Sequence, residues 1–149
     1  MPGHVPLQWG LLEGLLGFHL ARATVPTQTA FQTHLGGPLG LKPVEFSLLA
    51  LLQANGPLTA KRLAPALALS APAFSLLADR LQERGWVRSD RASTDRRSRH
   101  LGLTDAGRAL IERAAPVCAD MEAGLRAGLS PAEWAMLLEL LRKAGRPPR

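Results

Sequence analysis

Six arginines fall within one short stretch: Arg84, Arg88, Arg91, Arg96, Arg97 and Arg99, set against two aspartates, Asp90 and Asp95. Residues 84–104 therefore hold a formal +4 of the chain's +6. A guanidinium donates several hydrogen bonds from a rigid fork and is weakly hydrated. Arginines in such density suit phosphates and the narrow, strongly negative minor groove of a nucleic acid. The two ends of the stretch, Trp86-Val87-Arg88 and Arg99-His100-Leu101-Gly102-Leu103, alternate apolar and polar residues as half-buried strands do, while residues 89–98 are polar and turn-like. The pattern predicts a β-hairpin with an arginine-loaded tip.

Other chemistry is sparse. The histidines, His4, His19, His34 and His100, are far apart, and Cys118 is the sole cysteine. No H-E-x-x-H, paired C-x-x-C, G-x-S-x-G or Walker pattern occurs, so the expectation is a chain that is not an enzyme and carries no metal or cofactor. One cysteine excludes an internal disulfide and fits a reducing compartment. No uninterrupted apolar run exceeds five residues, as at residues 48–52, and the N-terminus lacks the basic start and cleavage site of a signal peptide. A cytoplasmic location is expected. With 149 residues, 46% hydrophobic and 20% charged, a single domain with its own core is expected over residues 1–149.

The elements that must position the hairpin follow from periodicity. Leu11, Leu12, Leu15, Leu16, His19 and Leu20 have helical spacing within residues 8–34, and their width predicts a helix buried on two sides, kinked or broken near residues 22–25 by Pro26. Gly36-Gly37-Pro38-Leu39-Gly40 reads as a loop. Lys42-Pro43-Val44-Glu45 opens a second helix with Val44, Leu48, Leu49, Leu51 and Leu52 on its core face, and Asn55-Gly56-Pro57 ends it. Thr59 reads as the cap of a short helix, residues 60–67, which Pro65 should distort. Ser70 caps a fourth helix with Phe74, Leu77, Ala78 and Leu81 inward.

Two short helices, a tight turn and a basic hairpin make a winged helix-turn-helix. Thr104 caps a long helix carrying Leu110, Ala114, Val117, Cys118, Met121 and Leu125, with a bend expected at Pro116. Ser130-Pro131-Ala132-Glu133 is a capping box before Trp134, Leu137, Leu138 and Leu141, Gly145 stops this last helix, and residues 146–149 form a frayed tail. The fold expected is mainly α with a small β-hairpin wing: a winged helix-turn-helix lobe at 42–103 between end helices at 8–34 and 104–145. Those end helices carry more leucine than one chain can bury, which predicts a homodimer.

Taken together, Gly40-Leu41-Lys42-Pro43-Val44-Glu45-Phe46, Leu81-Gln82-Glu83-Arg84-Gly85-Trp86-Val87, Asp95-Arg96-Arg97 and Leu103-Thr104-Asp105-Ala106-Gly107-Arg108 resemble the MarR (multiple antibiotic resistance regulator) transcription factors, in order and spacing, across roughly residues 8–143. The resemblance implies a dimer joined through its end helices, with the fourth helix in the DNA major groove and the wing tip in the minor groove. It also implies a repressor released by a small aromatic or phenolic ligand, or by thiol oxidation. Asp95 and Arg97 match the family's wing pair, in which the aspartate orients the arginine that enters the minor groove. Arg91, Arg96 and Arg99 are then expected as phosphate contacts.

The fourth helix departs from the pattern. Where the family offers long polar side chains to base edges, this chain has Ala71, Pro72, Ala73, Ser75 and Leu76. Ser70, Ala73 and Ser75 remain candidate DNA contacts, and alanine or leucine can meet a thymine methyl, but bidentate base readout is missing. A non-specific or weak nucleic-acid binder with a degenerate recognition helix is therefore the alternative to a sequence-specific repressor. Trp9, Phe18, His19 and Arg22 are candidate lining residues for an effector pocket, His19 and Arg22 lying three apart where together they could hold a carboxylate. Each is more often simply packing. Cys118 reads as a small buried hydrophobe, since the resemblance puts sensing cysteines near the N-terminus.

Overall fold

The leucine-rich N-terminal segment is helical. In the computed structural model, which describes residues 6–90 and 99–146, a 3-10 turn (Gly10–Gly14) leads into α1 (Leu16–Phe31). Contrary to expectation, α1 is not broken at Pro26. The proline removes one donor, to the Arg22 carbonyl, on an exposed stretch where water can replace it. The hydroxyls of Thr24, Thr27 and Thr29 donate to the carbonyls of Leu20, Ala23 and Val25 on either side. The irregularity comes later, as a π-helical turn (Gln32–Gly36) followed by the one-turn α2 (Gly37–Leu39).

The glycine-rich loop expected at residues 36–40 is therefore mostly helix. Gly36 is buried, and a Cβ there would collide with the Gln32 side chain and the Leu41 carbonyl, so glycine serves close packing at this position. The turn itself is made by Gly40, at φ +64°.

Next comes α3 (Pro43–Asn55), whose Glu45 accepts from the Lys42 N–H at 2.9 Å in the first turn. Leu48, Leu49 and Leu52 are buried, whereas Val44 and Leu51 are half-buried. A two-residue strand, β1 (Leu58–Thr59), precedes α4 (Ala60–Ala66); Thr59 holds the cap position without a side-chain cap bond. Pro65 sits in the last turn of α4, where the chain is already leaving the helix. Recovery comes through Leu69, whose N–H donates to the Ala64 carbonyl at 2.9 Å, and Ala68 takes a left-handed φ of +54°. In α5 (Ala71–Glu83) the Ser70 hydroxyl accepts from Ala73 N–H at 3.3 Å, and Phe74, Leu77, Ala78 and Leu81 are the buried face.

The hairpin strands are β2 (Val87–Ser89) and β3 (His100–Leu103), antiparallel with Val87 opposite Leu103 and Ser89 opposite Leu101. They are shifted by about a residue from the expected strands. Trp86 belongs to the turn leaving α5, because its N–H donates to the Leu81 carbonyl at 3.0 Å, and Asp90 N–H extends the pairing to the His100 carbonyl at 2.8 Å. The other edge of β3 pairs with β1, giving a three-stranded sheet in the order β1-β3-β2.

Thr104 opens α6 (Asp105–Leu125) and Ser130 opens α7 (Pro131–Ala144), each hydroxyl accepting from the N–H three residues on. The helix α6 continues through Pro116. One buried cluster joins Phe31 and Leu35 to α3, α4, α5, the sheet and α6 as far as Met121. Neither the leucines of α1 nor any residue of α7 enters it: Leu15, Leu16, Leu20, Leu137, Leu138 and Leu140 are all exposed on the single chain. The burial of the first helix on two sides, expected from its pattern, is thus not met within one chain. Among the described residues no single helix is long and apolar enough to cross a membrane.

Candidate nucleic-acid interface

The helix-turn-helix consists of α4, the turn at residues 67–70, and α5. Opposite the buried face of α5, Pro72, Leu76, Asp79 and Glu83 recur at four- and three-residue steps and are exposed, with Ser75 and Arg80 beside them. The outward stripe is thus apolar in its first two turns and acidic in its last two. Ser70 and Ser75 are exposed and Ala73 is half-buried. Lys61 and Arg62, which the sequence analysis does not single out, are exposed on α4, the helix that packs against α5. Nothing in the pattern distinguishes two cations on a short helix until its packing against α5 is known.

At the wing, Val87, Leu101 and Leu103 are buried while Arg88, Arg99 and His100 are exposed, but the expected alternation fails in β3, where Gly102 is buried as well, against Pro57. Arg91, Asp95, Arg96 and Arg97 lie outside the described residues. From residue 42 to residue 103 the chain has ten basic and five acidic side chains, a net +5 within a chain of +6. Such a lobe attracts a polyanion from any approach.

One of the six clustered arginines is not a tip cation. Arg84 Nη1 donates to the Gly40 carbonyl at 2.9 Å and to Glu45 Oε2 at 3.4 Å, and its guanidinium stacks 3.7 Å from the Trp86 ring centroid. Glu45 is fully buried, and its Oε1 lies 3.7 Å from Arg80 Nη1. A carboxylate this deep must be paired or suffer a severe desolvation cost. Here it holds the start of α3 against the end of α5 and the entry to the wing. From the sequence Glu45 is a helix-start residue, and an N3 carboxylate normally faces water; its burial follows only from the pairing with Arg84 and Arg80.

A cavity of about 620 Å3 lies between α1, α6 and α7, lined by leucines of all three helices with Phe31, Pro43, Met121 and Trp134. Of the four candidate lining residues only His19 borders it. Trp9, Phe18 and Arg22 do not line it, yet all four candidates cluster: the Trp9 and Phe18 rings are 5.4 Å apart, edge to face, the His19 ring lies 6.0 and 5.5 Å from them, and the Arg22 guanidinium is 4.8 Å from the Trp9 centroid. His19 Nε2 is 2.8 Å from the Glu13 carbonyl oxygen. His19 and Arg22 thus pack on the same two rings, and the guanidinium is held over aromatic faces where a shared carboxylate would need it free.

Cys118 is half-buried, and its thiol donates to the Ala114 carbonyl at 3.3 Å. Burial, reinforced by the Glu122 carboxylate, pushes its pKa above the ordinary thiol value. Both effects oppose a reactive thiolate. Among the described residues no group of histidine, cysteine and acidic side chains is arranged to hold a metal ion.

Comparison with known proteins agrees with this geometry. Residues 39–98 match the model of the MarR family. An uncharacterized HTH-type transcriptional regulator of Bacillus subtilis strain 168, YkoM, is 33% identical over 106 residues, 71% of this chain and 69% of its own length. Among solved structures, the transcriptional repressor CouR bound to a 23-mer DNA duplex is 36% identical and superposes with a TM-score of 0.83 over 95% of this chain and 100% of its own. CouR bound to p-coumaroyl-CoA superposes at 0.81 with 34% identity, over 96% and 100% of the two chains. BpsR of Bordetella bronchiseptica, whose DNA binding is regulated by 6-hydroxynicotinic acid, is 26% identical at a TM-score of 0.81, over 97% of this chain and 100% of its own.

Proposed function

The chain belongs to the MarR family of DNA-binding transcription regulators, and from that premise we propose that it is a cytoplasmic homodimeric repressor released by a small aromatic ligand. The observation that carries the proposal is the division of its surface. Exposed leucines crowd the two end helices, while +5 of the chain's net +6 lies in the lobe between them. An apolar face of that extent calls for a second copy, and a basic lobe on each copy calls for a duplex.

On this reading α5 enters the major groove and the wing tip enters the minor groove, Asp95 holding the fork of Arg97 while Arg91, Arg96 and Arg99 meet phosphates. The volume of the α1/α6/α7 cavity suits a small aromatic molecule. Its lining contains one carboxylate, Glu122, and neither lysine nor arginine, which favours an uncharged ring or an acyl thioester over a bare carboxylate. The relatives' ligands, p-coumaroyl-CoA for CouR and 6-hydroxynicotinic acid for BpsR, support an aromatic effector.

The apolar outward face of α5 favours a second reading, a non-specific nucleic-acid binder. A gel shift on the DNA upstream of the gene, against random duplex at physiological salt, separates the two. The repressor reading expects a preference for the upstream DNA of at least about a thousandfold, at the low end for specific binding. Equal binding selects the second reading. Repeating the shift with aromatic acids and their thioesters tests the effector, the thioesters being expected to release the DNA at lower concentration.

A further inference from the structure

Leu76 is 67% exposed in the middle of a basic lobe. Among the described residues every other exposed large hydrophobic lies at residues 7–25 or 129–141, on the end segments where a second copy accounts for it. Nothing in the dimer reading accounts for Leu76. It stands one turn after Pro72 on the outward stripe of α5, beside Ser75 and near the half-buried Ala73. The Ser70 cap fixes the start of the helix, so these side chains project from its first two turns with defined spacing.

The acidic end of the stripe limits how this helix meets DNA. Asp79 and Glu83 would face phosphates if the whole length of α5 lay in the groove, and that repulsion leaves only the first two turns to insert. Those turns present methyl and methylene groups and one hydroxyl. In the major groove the single apolar feature of a base edge is the thymine C5 methyl. Lys61 and Arg62, exposed on the neighbouring α4, supply the attraction that brings an apolar ridge to a polyanion.

We propose that Leu76, with Pro72, reads thymine C5 methyl groups in each half-site, replacing hydrogen-bonded base readout by burial of apolar surface. The inference rests on the DNA-binding reading and adds to it a specificity-determining residue and the base it selects. A buried methyl contributes about fourfold in affinity, so two contacted thymines contribute roughly sixteenfold per half-site. This is enough for a preference, with the wing and DNA shape supplying the rest.

The test uses the full-length protein. A preferred duplex is selected from random DNA and then synthesised with deoxyuridine in place of thymine, one position at a time, which removes only the methyl. Wild type is expected to lose about fourfold at the one or two positions that Leu76 covers. Leu76→Ala, an exposed substitution whose fold is checked by its thermal melt, should bind the thymine duplex more weakly and no longer distinguish thymine from deoxyuridine there. Leu76→Arg should shift the selected base at that position to guanine. The proposal is overturned if wild type is indifferent to every methyl, or if Leu76→Ala keeps the full discrimination. Failure to select any duplex over random DNA overturns the specific-regulator reading itself, and is seen before deoxyuridine is used.

Discussion

Gly107, in the first turn of α6, lies so close to Trp86 at the entry to the wing that a Cβ on the glycine would overlap the tryptophan carbonyl oxygen. That carbonyl also accepts from Thr104 N–H at 3.1 Å, and the Thr104 hydroxyl donates to the Gly85 carbonyl at 2.6 Å. Gly107→Ala must push the wing base away from α6. The expected cost is about 1–3 kcal/mol, read as a lower urea midpoint at unchanged slope. An unchanged midpoint means that the two backbones separate freely.

Replacing Glu45 tests the ion pair that joins α3 to the end of α5. Glu45→Ala leaves Arg84 and Arg80 without their acid and exposes the first turn of α3, at an expected cost of about 2–4 kcal/mol. Glu45→Gln keeps an acceptor for Lys42 N–H and for Arg84, and should cost less. Equal losses for the two variants, measured by denaturant unfolding, would show that the charge is the whole of the effect.

For the wing, Arg97→Ala is expected to weaken operator binding at least about tenfold at fixed salt, roughly the loss of one charge-assisted contact. Arg96→Ala should weaken all sequences alike and reduce the slope of log affinity against log salt by about one. Fluorescence anisotropy over a salt series measures both. If Arg97→Ala only changes the salt slope, its role is phosphate contact and not groove insertion.

Leu140, 52% exposed on α7 and outside the cavity lining, is the place to break the proposed dimer without filling the pocket. Light scattering should give twice the chain mass for wild type and a lower mass for Leu140→Lys in dilute solution. A wild-type chain of monomer mass removes the dimer from the proposed function.

Because burial and Glu122 raise the Cys118 pKa, its thiolate fraction near neutral pH is below that of a free cysteine and grows only in the alkaline range. Alkylation by iodoacetamide should therefore be slower than for a model thiol at pH 7, with the gap narrowing as pH rises. Both wild type and Cys118→Ser should retain DNA binding after peroxide treatment. Loss of binding in oxidised wild type alone would identify a redox switch.

Much of the fold was legible because caps, prolines at helix starts and three-four spacing are local signals, as at Ser70, Thr104 and Ser130. What escaped depends on partners distant in sequence. The strand at Leu58 and Thr59 is too short to show alternation and exists because β3 offers it an edge. The glycines after Leu35 look like a loop until the packing around Gly36 is seen, and Pro26 looks like a break until the neighbouring solvent exposure is known. At the site, Arg84 counts as a loop cation in any tally of charge, yet Glu45, 39 residues upstream, takes it out of that role. The outward stripe of α5 could be counted from the sequence, but not the isolation of Leu76 among exposed hydrophobics, which is a property of the whole surface.

The helix α6 begins at the base of the wing and ends in the wall of the cavity, where Met121, Glu122 and Leu125 line it. Its 21 residues make a rod about 30 Å long. Taken about the tight contact of Gly107 with Trp86, such a rod is a lever: its arm to Leu125 is about 27 Å, and a tilt of about 5° displaces the far end by roughly 2.4 Å. On the proposed function the same ratio works in reverse: an effector that spread the cavity by the thickness of one methyl group would deliver an angle, and not merely a push, to the wing.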